Sequence, residues 1–169
     1  MLERIRKPQK RIPLNRAVIY SMGIMACGLI TGVGVKLMDI YTVHLGNIFS
    51  QMSVWIFLCS ALAVYSSTPR RAAVNVFLFC AGMLLTYYLT AEGMHSPYSM
   101  TFVYGWSVFS LFSPVLAFFT WYAKGKGTVS RLLTAGIVVV LLVLAVLLFD
   151  RIRISDLVFA VLTAVILIK

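Results

Sequence analysis

The chain alternates long apolar runs with short polar connectors. Six apolar runs are recognisable, at about 17–38, 47–66, 72–91, 101–122, 132–149 and 154–168. A helix needs about 20 residues to cross the hydrocarbon core of a bilayer, and about 17 is the lower limit. The sixth run is shorter than this and carries Asp156 near its start. The pattern predicts six transmembrane helices, or five if the last segment does not span.

The continuity of these runs indicates helices rather than barrel strands. The stretch LLVLAVLLF, Leu141–Phe149, has no alternation of apolar and polar residues, whereas a barrel strand alternates. Composition agrees with a membrane location, because only 12% of the residues are charged, against about 25% in soluble domains. We therefore predict an all-α, polytopic integral membrane protein, with a basic cytoplasmic tail at 1–16 and a single transmembrane helical domain at 17–169.

Lysine and arginine are unequally distributed between the two sides of such a bundle. If the N-terminus is cytoplasmic, twelve of the 15 cationic residues fall on the cytoplasmic side, and only Lys36, Arg151 and Arg153 fall on the other. Cytoplasmic loops of membrane proteins carry an excess of Lys and Arg. The bias predicts that both the N-terminus and the C-terminus are cytoplasmic.

The net charge of +10 raises the question of what the basic residues bind. No base-reading or base-stacking motif accompanies them, so nucleic acid is not an expected partner. Polybasic segments beside a membrane bind the anionic lipids of the inner leaflet. We assign that anchoring role to the tail and to the connector 67–71. For Arg70 and Arg71 in this connector, the alternative is a docking loop for a cytoplasmic partner. The residues concerned are Arg4, Arg6, Lys7, Lys10, Arg11, Arg16, Arg70 and Arg71.

Glycines are concentrated in the first apolar run. Gly28 and Gly32 form a GxxxG motif, and Gly34 follows two residues later. Small residues allow two membrane helices to approach closely. We expect these glycines to pack against another helix of the same chain, with homodimerisation as the alternative.

The end of the first run carries two opposite charges, Lys36 and Asp39. At a spacing of three residues they share one face of a helix. One interpretation is an interfacial ion pair in which the lysine extends towards water. The other is a substrate-binding site that continues through His44, Asn47 and Gln51 and is covered by the connector 92–100, because ionisable groups at membrane depth are candidates for function.

A second polar element lies in the fourth run. Ser107, Ser110 and Ser113 recur every three residues, and Pro114 follows directly. Such a stripe faces other helices, and the proline frees a backbone carbonyl one turn back. Helix packing with a tolerated kink is one interpretation. The other is that the three serines line the same substrate-binding cavity.

Aromatic residues cluster where the predicted helices meet the membrane surface. On the side opposite the basic tail these are Tyr41, Tyr87, Tyr88, Tyr98 and Tyr104. Tyrosine and tryptophan are enriched at both membrane interfaces. The sequence therefore assigns these tyrosines to an interfacial belt.

Residues that could support catalysis are sparse. The sequence contains no HExxH or GxSxG motif, and its carboxylates are scattered rather than paired. Cys27, Cys59 and Cys80 have no CxxC or histidine partner at metal-ligand spacing. We therefore predict no catalytic residues, no metal site, no cofactor and no enzymatic activity.

In size and number of predicted spans the chain is similar to the substrate-binding membrane subunits of energy-coupling-factor vitamin importers. Those are small, basic, six-span bacterial proteins, so the similarity implies a bacterial cytoplasmic membrane and binding of a small molecule. The leading hypothesis is a small-molecule transporter or the substrate-binding subunit of one. The alternative is a non-catalytic accessory subunit that packs on a larger membrane complex. An enzyme acting on lipid or isoprenoid is a weaker third hypothesis, because no nucleophile or metal cluster is visible.

Overall fold

The computed structural model describes residues 5–8 and 13–168, and all regular secondary structure in this part of the chain is α-helical. It contains α1 (Leu14–Tyr41), α2 (Val43–Phe49), α3 (Met52–Tyr65), α4 (Pro69–Gly93), α5 (Met100–Ala123), α6 (Thr128–Phe149) and α7 (Ile154–Ile168). In the described residues, α1, α4, α5 and α6 are long and apolar enough to cross a membrane. The structure thus supports the predicted helical membrane protein, while α3 and α7 are shorter apolar helices.

Helices α1 and α4 approach each other closely along their glycines. A Cβ atom added at Gly28 would collide with the backbone carbonyl of Phe79, and one added at Gly32 would collide with that of Met83. Gly82 of α4 reciprocates, because a Cβ there would lie 3.0 Å from the carbonyl oxygen of Met25. Backbone therefore packs directly on backbone, as small residues permit in membrane helices.

Hydrogen bonds accompany this close contact. Thr86 Oγ1 on α4 donates to the carbonyl oxygen of Leu29 on α1 at 2.7 Å. Nearer the start of α1, Ser21 Oγ donates to Asn75 Oδ1 at 2.8 Å, and Asn75 Nδ2 donates to Ser66 Oγ at 3.1 Å. Polar side chains inside an apolar bundle are satisfied by one another, and here they join α1, α4 and the end of α3.

The second apolar run is interrupted rather than continuous. It comprises the end of α2, a break at Ser50 and Gln51, and then α3. Gln51 has an extended backbone, and Trp55 Nε1 donates to the carbonyl oxygen of Phe49 at 2.8 Å. Ser50 Oγ also donates to the carbonyl oxygen of Gly46. The Trp55 side chain thus satisfies a carbonyl at the end of α2, while the Ser50 hydroxyl adds a second hydrogen bond to a carbonyl that already accepts the Ser50 backbone N–H.

The N-termini of α3 and α7 meet at a buried carboxylate. Asp156 is 2% exposed, and it accepts hydrogen bonds from Ser53 Oγ at 2.6 Å and from the backbone N–H of Arg153 at 2.9 Å. Beside it, Ser155 Oγ donates to Gln51 Oε1 at 2.7 Å. A carboxylate near helix N-termini is stabilised by their partial positive charge, so Asp156 links the two short helices electrostatically as well as by hydrogen bonds.

The opposite ends of α3, α5 and α7 lie together at what we call the basic face, formed by 5–8, 66–68 and 124–127. Arg6 donates to the carbonyl oxygens of Val64 and Trp121 at 2.8 and 2.9 Å, and its guanidinium lies 4.2 Å from the Trp121 ring centre. Lys124 Nζ donates to the carbonyl oxygen of Ile166 at 2.8 Å. Burial lowers the pKa of Arg6; burial and then the charge of Arg6 lower the pKa of Lys124. Both cations cap helix C-termini.

The cysteines occupy two different environments. Cys59 Sγ on α3 and Cys80 Sγ on α4 are 3.5 Å apart inside the bundle, whereas Cys27 is exposed on α1. Cys27 therefore lies on the exposed surface of α1 and outside the helix contacts that enclose the other two.

Candidate binding cavity

A cavity of about 310 Å³ opens at the end of the bundle opposite the basic face. Its walls come from α1, α2, α3, α4 and α5, together with the connector between α4 and α5. We call this end, formed by 42–51, 94–99 and 150–153, the cavity face. Small-molecule sites have volumes of about 300–1,000 Å³, so the cavity is large enough for a small ligand.

An ion pair lies in the wall of this cavity. Lys36 Nζ is 2.9 Å from Asp39 Oδ2, and the Tyr87 hydroxyl donates to the same oxygen at 3.1 Å. Lys36 Nζ also lies 5.0 Å from the centre of the Tyr87 ring. The lysine side chain is 2% exposed and the aspartate side chain 34% exposed. A buried ammonium therefore has a carboxylate and an aromatic face as partners, and the carboxylate is the member that solvent reaches.

Aromatic rings form much of the remaining wall. Trp55 and Trp106 meet at 6.2 Å with an interplanar angle of 81°, and Tyr88 lies 5.4 Å from Tyr98. Phe49 packs on Trp55 at 6.4 Å, and Phe102 also lines the cavity. Aromatic rings at steep mutual angles present both faces and edges, which suits contact with a ring-containing molecule.

The connector between α4 and α5 closes one side of the cavity through Pro97, Tyr98 and Ser99. The Tyr98 hydroxyl donates to Glu92 Oε2 at 2.7 Å, and this hydrogen bond to a carboxylate raises the pKa of Tyr98. His95 has a positive φ of 50°, a conformation that turns the chain sharply after α4. The end of α4 thus fixes the position of the wall that the connector provides.

The structure separates the other polar residues of the predicted substrate site from Lys36 and Asp39. His44 and Asn47 are exposed on α2, and the Asn47 carbonyl accepts a hydrogen bond from Arg153 at 3.4 Å. Gln51 is 2% exposed and pairs with Ser155. These three side chains do not line the 310 Å³ cavity among the residues that the structure describes.

The serine stripe of α5 is separate from it as well. Ser107 is exposed, and Ser110 and Ser113 are buried. Ser113 Oγ donates to the Ser110 carbonyl at 2.8 Å, the carbonyl for which Pro114 has no N–H. Ser113 borders a second, more apolar cavity of about 370 Å³ between α3, α4, α5 and α6. The local geometry gives Ser113 a role in satisfying the proline-interrupted helix.

The glycines of the first apolar run have different surroundings in the structure. Gly28 and Gly32 contact α4, as described above, whereas a Cβ at Gly34 would meet no atom within 4 Å among the described residues. The two-residue spacing of Gly32 and Gly34 places them on different faces of α1.

The predicted anchoring residues have different surroundings. Lys7, Arg16 and Arg70 are exposed, while Arg6 is part-buried beneath α3 and α5. The backbone N–H of Arg71 donates to Thr68 Oγ1, which caps α4. Arg4, Lys10 and Arg11 lie outside the residues that the structure describes.

Tyr87, Tyr88 and Tyr98 are cavity residues that the sequence assigned to an interfacial belt, whereas Tyr41 and Tyr104 are 71% and 70% exposed, as a belt requires. The adjacent pair Tyr87 and Tyr88, at the same depth as Lys36 and Asp39, was the sequence signal that could have indicated the site. Trp55 and Trp106 had no such signal.

Neither metal ligation nor similarity to known proteins adds to this picture. Within 5–8 and 13–168, no three His, Cys, Asp or Glu side chains are arranged to hold a metal ion. No protein-family model, curated protein or solved structure matches this chain significantly.

Proposed function

We propose that this chain is a membrane-embedded binder of a small molecule, acting as a small transporter or as the substrate-binding subunit of one. The observation that carries the proposal is the cavity with Lys36 buried in its wall beside Asp39. A charge buried in a membrane bundle is costly to keep, and such residues face cavities and substrate pathways. A purely structural helix end has no need of a buried ammonium in the wall of an open cavity.

We further propose six crossings with both termini cytoplasmic. The four long helices supply four crossings, α2 with α3 supplies another, and α7 supplies the last. At 1.5 Å per residue, α3 and α7 are only about 21 and 22 Å long, shorter than the roughly 30 Å hydrocarbon core. In this topology their joined N-termini would lie below the membrane surface, where hydrogen bonds from Ser53 to Asp156 and from Ser155 to Gln51 satisfy the buried polar groups.

The alternative of an accessory subunit receives less support from these contacts. Such a subunit needs faces of small residues that are free to pack on another protein. Gly28 and Gly32, the strongest such pair in the sequence, are already occupied by α4. A face that is filled within the chain cannot at the same time bind a partner subunit.

Native mass spectrometry of the protein in mild detergent tests the proposal. Ser99→Phe would fill the cavity, and Ser99 makes no side-chain capping bond at α5 that would be lost. Gly136→Leu is the matched control, since it adds a side chain to the second cavity where an added Cβ meets no atom within 4 Å. We expect a small molecule to co-purify with the wild type and with Gly136→Leu, and to be absent from Ser99→Phe.

Two results would count against the proposal. One is a wild-type protein that carries no small molecule and is not stabilised by any fraction of a small-molecule extract. The other is stoichiometric co-purification of a larger membrane protein that Ser99→Phe leaves unchanged, which would favour the accessory subunit.

A further inference from the structure

We propose that the cavity takes an uncharged, planar ring compound that carries an N–H or O–H donor. This inference rests on the proposed function and names the class of ligand for the same site. It follows from three properties of the wall: its rings, its electrical neutrality, and the unequal exposure of its two charges.

The rings favour a flat, ring-containing ligand. The interplanar angle is 81° between Trp55 and Trp106 and 55° between Tyr88 and Tyr98. Neither pair is therefore stacked face to face. Trp55 is only 2% exposed, so the ring surface open to a flat molecule comes mainly from Tyr98 and Phe102, which line the cavity and are 37% and 60% exposed. Branched aliphatic ligands would make fewer such contacts with the same wall.

Neutrality of the wall disfavours a charged ligand. Lys36 and Asp39 already compensate each other at 2.9 Å. An anionic ligand would compete with Asp39 for Lys36, and a cationic ligand would lie close to the Lys36 ammonium, which already occupies the Tyr87 face. Either would leave one charge at the cavity wall without a compensating partner, which is unfavourable next to the buried Lys36 ammonium.

The exposure of Asp39 selects for a hydrogen-bond donor. Its side chain is 34% exposed whereas that of Lys36 is 2% exposed, so a ligand meets the carboxylate first. Both hydrogen bonds to Asp39 go to Oδ2, from Lys36 and Tyr87, and no described residue donates to Oδ1. A carboxylate accepts about four hydrogen bonds, so Asp39 has acceptor capacity for an N–H or O–H group.

A competition experiment with indole and three relatives tests the class. Tritiated indole is bound to the purified protein in nanodiscs, and 1-methylindole, indole-3-acetate and tryptamine are used as unlabelled competitors. Indole is planar, neutral and has one N–H; the relatives remove the donor, add a negative charge and add a positive charge, respectively. The signal that remains with Ser99→Phe measures the indole that dissolves in the nanodisc lipid. Gly136→Leu is the control for a side chain added elsewhere.

We expect indole binding that is lost in Ser99→Phe and kept in Gly136→Leu. A hydrogen bond to a charged acceptor corresponds to roughly tenfold or more in affinity, so 1-methylindole should compete at least about tenfold less well. Both charged relatives should also be weaker than indole. The same ranking in Gly136→Leu would exclude a contribution from the second cavity.

Other outcomes overturn the inference in distinguishable ways. Indole-3-acetate or tryptamine binding as tightly as indole, with loss in Ser99→Phe, would refute an uncharged ligand and leave a binding cavity in place. Equal competition by 1-methylindole would refute the donor. Indole binding that is identical in the wild type and Ser99→Phe would refute this ligand class, while the proposed function would be judged by its own co-purification experiment.

Discussion

Lys36 and Asp39 form an ion pair whose two members have very different access to solvent. Their atoms Nζ and Oδ2 are 2.9 Å apart, yet the lysine side chain is 2% exposed and the aspartate side chain 34% exposed. Removing one partner of a buried pair leaves an uncompensated charge, and the cost depends on which charge remains. The pair is therefore asymmetric in energy as well as in exposure.

This asymmetry predicts unequal effects of neutralising the two residues. Asp39→Asn leaves a buried ammonium without its carboxylate and should lower the free energy of unfolding by about 3 kcal/mol. Lys36→Met keeps an unbranched apolar chain and leaves a carboxylate that water reaches, so its effect should stay below about 1 kcal/mol. The double variant should resemble Lys36→Met. Denaturant titrations in one detergent measure all three, and equal effects of the single variants would contradict the geometry.

The glycines of α1 allow a matched comparison two residues apart. Gly32→Ala would force a Cβ against the Met83 carbonyl of α4 and should destabilise the protein by about 1–3 kcal/mol, the usual cost of overpacking. Gly34→Ala meets no described atom and should be neutral or slightly stabilising, because alanine restricts the unfolded chain. The difference in thermal midpoint between the two variants checks this. A Gly34→Ala protein that is the less stable of the two would show that α1 packs through its other face.

Arg6 and Lys7 test whether the tail is bound to the bundle or only to lipid. Arg6→Gln removes the charged hydrogen bonds to the Val64 and Trp121 carbonyls and should lower the unfolding midpoint. Hydrogen bonds of this kind contribute about 1.5–3 kcal/mol each. Lys7→Gln changes an exposed side chain and should leave the unfolding midpoint unchanged. Measuring both in detergent without anionic lipid removes the contribution of the leaflet. If the two variants then unfold alike, Arg6 does not cap these helices.

Asp156 is a buried carboxylate and Asp150 is an exposed one. Asp156→Asn weakens the bonds from Ser53 and the Arg153 backbone at a buried position, and we expect a loss of about 1–3 kcal/mol. Asp150→Asn is the control, since it is exposed and its positive φ of 54° is readily adopted by asparagine. Thermal unfolding separates the two, and an Asp150→Asn variant as unstable as Asp156→Asn would refute the structural role of the buried carboxylate.

Topology can be measured by labelling cysteines in intact cells with a membrane-impermeant maleimide. In a background without native cysteines, Met94→Cys at the cavity face should be labelled from outside, and Lys126→Cys at the basic face only after permeabilisation. Both positions are exposed, so accessibility does not differ for local reasons. The opposite pattern would invert the proposed orientation.

Some of the site could be anticipated from residue spacing along one helix. Lys36 and Asp39 share a face at three residues apart on any helix, and Gly28 and Gly32 likewise share a face, so their local pairing needed no tertiary information. The helical, membrane-embedded character also follows from the sequence, because hydrocarbon requires every backbone polar group to be bonded within its own segment.

Only the tertiary structure determines which residues from distant parts of the chain contact the two buried polar sites. Tyr87 bonds Asp39 from 48 positions away, and Ser53 bonds Asp156 from 103 positions away. The same packing buries Gln51 against Ser155 and leaves Ser107 exposed. It also places Tyr88 and Tyr98 in the cavity wall, where the sequence predicted an interfacial belt. In a chain so uniformly apolar, hydropathy distinguishes membrane from water but hardly distinguishes lipid-facing from helix-facing positions. That distinction comes from close contacts and hydrogen bonds between helices, which form only when the bundle assembles.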